Sequence, residues 1–242
     1  MRLILFLIVL IAFPLRAQKS IHTIWTAELQ RYVDEKGDVD YASWQKNTEI
    51  LDNYIKTLEE NPPAHYWSKN DSLSYFINAY NAVTVKLILD NYPLKSIKNL
   101  ITPWYFKRFN LNEKKVSLNY IEHEILRKMN EPRIHFAINC ASKSCPKLLN
   151  FAFEPHRINR QLEEATKHFL NDPTKNTITV NQLKLSKIFQ WFSKDFGNNQ
   201  TRLAFIHKYT SIQIDPKASI KFLEYDWGLN NSDTNLQEKM EK

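Results

Sequence analysis

Glycine is nearly missing from this chain of 242 residues: Gly37, Gly197 and Gly228 are the only three. Each stands alone, so no glycine-rich loop can cradle a phosphate. Neither a dinucleotide-binding fingerprint nor a P-loop can be built from it. Nucleotide enzymes of those two kinds are excluded. Cysteine is scarcer still, with Cys140 and Cys145 alone. Internal repeats, low-complexity stretches and Pro/Gly/Ser linkers are absent, and past the N-terminus no long apolar run occurs. What remains is a globular composition, 43% hydrophobic and 24% charged, with enough apolar mass for a real core. The length fits one domain.

The net charge is +7, and the excess reads as spread along the chain. Its longest basic runs are only Lys107-Arg108 and Lys114-Lys115. A nucleic-acid footprint would cluster on one helix or arm. The expectation is a mildly basic solvated surface with no nucleic-acid partner.

The N-terminus reads as an export signal. Arg2 precedes an uninterrupted apolar run from Leu3 to Phe13, and Pro14 with Leu15-Arg16-Ala17 supplies a break and a small residue for cleavage. That run is about half of the ~20 residues that a spanning helix needs. An uncleaved anchor is the competing reading, because Leu15 occupies the −3 position. Removing Arg2 and Arg16 would lower the net charge from +7 to +5. The expected organisation is a signal over 1–17, one domain over 18–230, and a polar, disordered tail over 231–242. The expected protein is exported, without stable membrane insertion once the signal is removed, in a compartment that permits disulfides.

The apolar periodicity predicts helix from Ile21 to Leu58 with a turn around Gly37, and a strong helix from Asp71 to Asp90. A hairpin is expected between Ile101 and Val116, turning at Asn112-Glu113. A helix over Asn119–Met129 would be capped by Asn119 with Glu122 three residues on. Arg133 to Cys140 alternates like a strand. Further helices are expected over Asn159–Leu170, Ser186–Phe196 and Thr201–Tyr209, with a β pair over Thr177–Leu185 and a last strand from Ser219. The fold class is α+β: a helix-rich single domain with a small antiparallel sheet.

Three features break the apolar pattern. Glu122 falls inside the stripe formed by Leu118, Ile121, Ile125 and Met129, where a carboxylate must be paired or protonated. Asn78 and Asn81 lie one turn apart on a helix that is apolar nearly all round; two buried amides suggest a network that positions loops or a substrate. The third is the run His135–Pro146, which holds both cysteines. If a helix begins at Pro146, Cys145 is its N-cap, and the free N–H groups there favour a thiolate. That would suit a cysteine nucleophile, with His123 or His135 as base. A Cys140–Cys145 disulfide or inert thiols compete with it, and a zinc site is weaker, because no fourth ligand is evident. No cofactor is expected.

Several runs together resemble the DUF547 family, which is named for lacking an established function. They are Phe76-Ile77-Asn78-Ala79-Tyr80-Asn81-Ala82-Val83-Thr84, Ile121-Glu122-His123 with Ile125-Leu126-Arg127, and Arg133-Ile134-His135-Phe136-Ala137 leading to Cys140-Ala141-Ser142 and Ser144-Cys145-Pro146. Leu185–Phe192 with Asp195-Phe196, Tyr225-Asp226-Trp227 with Leu229-Asn230, and Val39-Asp40-Tyr41 with Trp44 extend the likeness. The resemblance implies a comparison with papain- and transglutaminase-like folds, which does not settle function.

Two functions follow as expectations. One is an exported thiol hydrolase or acyl/amide transferase acting on a small molecule or peptide. In it Cys145 or Cys140 is the nucleophile, His123 or His135 the base and Glu122 the group that orients it. Asn78, Asn81, Ser142 and Ser144 would bind substrate. The other is a non-catalytic binding module whose loop is stapled by a Cys140–Cys145 disulfide.

Overall fold

The computed structural model describes residues 20–232. The expected signal, the first two residues of the expected domain and positions 233–242 of the expected tail lie outside them. The chain opens with α1 (Thr23–Tyr32), α2 (Tyr41–Trp44), α3 (Glu49–Glu60) and α4 (Lys69–Leu89). Helix α4 starts at a capping box, where Ser68 Oγ accepts from Asp71 N and Asp71 Oδ2 accepts from Ser68 N. Sixteen of its 21 residues are buried, so it is the axis around which the first core is packed. Trp25 stacks on Tyr54 and Tyr32 on Trp44 beside it.

Strands β1 (Lys107–Leu111) and β2 (Lys114–Ser117) form the expected hairpin, with Asn112 and Glu113 both at positive φ in its turn. Next come α5 (Leu118–Tyr120), a π-helical segment Ile121–Leu126 and 3-10 turns Arg127–Met129 and Pro132–Phe136. Two expectations fail here. The cap is Ser117, whose Oγ accepts from Tyr120 N, and not Asn119. Arg133–Cys140 is not a strand. Its alternation arises because Ile134 and Ala137 pack into the first core while Phe136 points into a second one.

The second core is built by α6 (Ile158–Asn171), β3 (Thr177–Ile178), β4 (Gln182–Leu185), α7 (Ile188–Trp191), α8 (Asn199–His207) and β5 (Ser219–Phe222). Here β3 and β4 are antiparallel, but β5 runs parallel to β4. The sheet is therefore mixed, not purely antiparallel as expected, and a separate two-stranded sheet accompanies it. The fold remains α+β and rich in helix. Past residue 230 the chain is still tied in: Asn231 is buried, bridges Val39, and donates through Nδ2 to Tyr92 Oη.

Candidate functional site

The loop carrying both cysteines holds its shape without glycine. Ala141 sits in the left-handed region at φ 59°, where glycine is the usual occupant. The Asn139 side chain supports it, accepting from Ala141 N at 2.7 Å and donating to Pro146 O at 2.7 Å. Lys143 N donates to Gly228 O and Ser144 N to Asp226 O, so the loop is paired to the 226–229 segment. Ser144 Oγ accepts from Asp226 N. No helix begins at Pro146, so the expected N-cap for Cys145 does not exist. Instead Cys140 and Cys145 are bonded to each other. In this state neither sulfur is a thiolate, which corrects the expectation of a ready nucleophile.

The amides Asn78 and Asn81 are buried as expected, but they serve the backbone. Asn78 donates to Phe153 O and accepts from Phe153 N. Asn81 donates to Ala137 O at 3.0 Å and accepts from Asn139 N at 2.9 Å. Each replaces a missing stretch of β ladder for a chain that runs past α4. Neither lines the cleft described next, and neither do Ser142 and Ser144. Ser142 donates instead to Tyr225 Oη.

The five residues expected to be catalytic do converge. Glu122, His123, His135, Cys140 and Cys145 line one cleft of about 430 Å³, at the seam between the two cores. Its remaining walls are largely aromatic: Tyr80, Trp104, Tyr105, Trp191, Phe192, Tyr225 and Trp227. Trp191 stacks on Trp227 at 5.6 Å, and Tyr225 packs between them at 4.8 and 4.6 Å. A second, larger cavity of about 800 Å³ backs onto the same loop. Cys145 and Pro146 line both.

Glu122 is buried inside its apolar stripe, as its position predicts, and accepts from Tyr80 Oη at 3.2 Å. Burial raises its pKa to about 7, against the smaller opposing pull of Tyr80 and Arg127. Near neutral pH this carboxyl group is therefore about half protonated. Burial and the adjacent Glu122 also hold the Tyr80 phenol well above its ordinary value.

A second array joins the two histidines. Asp195 accepts from Arg127 Nε at 2.6 Å and Nη2 at 2.7 Å, a bidentate pair. The same carboxylate accepts from His135 Nε2 at 2.7 Å. Arg127 Nη1 lies 2.7 Å from His123 Nδ1. A guanidinium only donates, so His123 Nδ1 accepts and its proton sits on Nε2. Burial lowers the pKa of both histidines, and the Arg127 charge adds to this. Despite its own burial, Asp195 is held well below the carboxylate range by Arg127 and His135. His135 is thus a neutral ring, stacked on Phe192 at 4.0 Å, and its buried Nδ1 has no partner among the described residues.

Sequence reasoning missed Asp195 and Arg127 as site residues, together with Tyr80, Tyr225 and the loop-forming Asn139. Asp195 lies 68 residues from Arg127, so no local spacing reports the pair. Among the described residues, no group of three or more His, Cys, Asp or Glu side chains is placed to hold a metal ion. None of their helices is long and apolar enough to cross a membrane.

Residues 64–170 match the family described as "Protein of unknown function, DUF547", so the chain carries a DUF547 domain over that span. Glu122, both histidines and both cysteines fall within it. Trp191, Tyr225 and Trp227, which complete the cleft, fall beyond it, as does Asp195, which holds His135 and Arg127. No curated protein and no solved structure matches the chain.

Proposed function

We propose that the protein is an exported binding module whose cleft takes a small molecule or peptide side chain with a flat apolar face. One observation carries this reading: both sulfurs of the cleft are bonded to each other beneath the Tyr225 hydroxyl, among aromatic walls with few polar groups. Such a lining, mostly apolar with a few convergent polar groups, is the usual make-up of a small-ligand site. The disulfide closes a short loop and so presets the wall at Tyr225. It also fits an oxidising compartment, and with it the signal over 1–17. Functionally, the family unit extends past residue 170 to about 230, because the cleft is incomplete without Trp191, Tyr225 and Trp227.

A second reading is favoured by the His135–Asp195 hydrogen bond, because His135 lines the same cleft as the two sulfurs. Reduction by a dithiol would free Cys145, and a neutral histidine oriented by a carboxylate is what a thiol hydrolase or transferase requires. The comparison with papain- and transglutaminase-like folds that the family resemblance prompts belongs to this reading.

The two are separated with the aromatic probe 8-anilinonaphthalene-1-sulfonate and the ester p-nitrophenyl acetate. The binding module predicts probe binding that Trp191→Ala weakens roughly tenfold. Cys140→Ala/Cys145→Ala should change it by less than about threefold. Ester hydrolysis above background in the dithiol-reduced wild type, abolished by Cys145→Ala under the same conditions, would favour the enzyme instead.

A further inference from the structure

Eight large hydrophobic side chains are exposed among the described residues, and most are scattered. Three are not. Ile101 is 91% exposed, Tyr105 66% and Phe106 58%, all within one turn of six residues. The turn is firmly held, so this exposure is built in. Tyr105 N and Phe106 N both donate to Thr102 O, Asn119 N donates to Trp104 O at 2.8 Å, and Pro103 is buried. Trp104 points the other way, edge-on to Trp227.

The same stretch concentrates the charge. Between Lys95 and Lys115 the basic residues are Lys95, Lys98, Lys107, Arg108, Lys114 and Lys115, and Glu113 is the one acid. Six against one gives +5, from a chain whose total is +7. The excess that reads as spread is therefore gathered here, and both of the longest basic runs belong to it. All five lysines are exposed. Arg108 pairs with Asp90 at 3.6 Å and lies over the Phe106 ring.

We propose that the 101–106 turn and the basic residues flanking it form a docking surface for an anionic lipid bilayer. An apolar tip with cations on the chain to either side of it matches the two layers of such a surface: aromatic and aliphatic groups enter the interface while lysines meet the headgroup charge. Tyrosine is at home at that depth. A spanning helix is not required. Trp104 and Tyr105 also line the cleft, so a docked chain holds the cleft mouth at headgroup level. The surface does not depend on what the cleft binds.

The test is co-sedimentation of the naturally exported chain with vesicles of phosphatidylcholine alone, or of phosphatidylcholine mixed with phosphatidylglycerol. Binding is expected only to the anionic vesicles, weakening as salt is added. Ile101→Ser/Tyr105→Ser/Phe106→Ser should reduce it roughly tenfold or more. Lys107→Gln and Lys114→Gln should each reduce it about fivefold. These side chains are exposed, so an unchanged thermal midpoint verifies folding. Equal binding to neutral vesicles, no binding to either kind, or binding indifferent to both sets of substitutions would overturn the proposal. The last result would also follow if an uncleaved N-terminal segment alone held the membrane.

Discussion

Helix α4 and the irregular segment from 121 to 146 face each other in the first core, and they solve the same problem in opposite ways. Helix α4 satisfies its backbone through its own ladder, from a capping box onward, so its buried polar side chains are free to serve a neighbour. The 121–146 segment winds through π and 3-10 turns that close only part of its backbone hydrogen bonding, and Ala137 O and Asn139 N find their partner on α4. Asn81 completes the backbone of Ala137 and Asn139, and Tyr80 reaches Glu122. Regularity on one side supports irregularity on the other. Titratable groups and a disulfide are thereby held at a cleft wall where no regular element could place them.

The sharpest break in this comparison is a pair of substitutions on α4. Asn81→Leu should leave the Ala137 carbonyl and the Asn139 N–H buried and unpaired, at about 1–3 kcal/mol each. Urea unfolding is expected to show a total loss of about 2–6 kcal/mol. Thr84→Val, three residues on, removes a buried hydroxyl that has no partner among the described residues. It should be neutral or slightly stabilising. If both variants lose stability equally, the amide is not serving its neighbour.

The next effect depends on pH. Because the folded-state pKa of Glu122 is raised, to about 7 from 4.5, its contribution to stability is fully present below pH 4.5 and is lost as pH rises through 7. Glu122→Gln keeps the neutral form at every pH. Relative to the wild type it should gain up to about 3 kcal/mol by pH 8 and little at pH 4. Asp195 acts in the opposite sense. Its pKa is depressed, so its stabilisation is present above the ordinary carboxylate value and declines in acid. Chemical denaturation across pH 4–8 for wild type and Glu122→Gln measures the difference.

The Cys140–Cys145 bridge closes a short loop, and chain entropy puts its contribution at about 2 kcal/mol. Cys140→Ala/Cys145→Ala should lower the unfolding free energy by that amount, while reducing agent should destabilise the wild type and leave the variant unchanged. The smallest expected effect on stability is at the cleft rim. Trp191 is 45% exposed, so Trp191→Ala should cost less than about 1 kcal/mol while weakening probe binding.

The regular half of this comparison was legible in the sequence and the irregular half was not. The all-round apolar pattern from Asp71 to Asp90 located α4 within two residues, and Asn112-Glu113 marked a turn that both residues adopt at positive φ. Burial of Glu122 followed from its place in the stripe, although the stripe proved to be π-helical. Around 133–140, by contrast, a period of two came from a 3-10 turn straddling two cores, which periodicity cannot distinguish from a strand. The parallel pairing of β5 with β4, and Asp195 joining Arg127 and His135, are contacts of long sequence separation that no local pattern encodes.

The central claim is that the cleft is closed by a bridge and is not armed with a thiol. Intact-mass spectrometry of the protein isolated without reducing agent, with and without alkylation under denaturing, non-reducing conditions, tests it directly. The account predicts a mass two hydrogens below that of the reduced chain and no alkylated cysteine. Rapid alkylation of Cys145 near neutral pH, in protein that was never reduced, would contradict it.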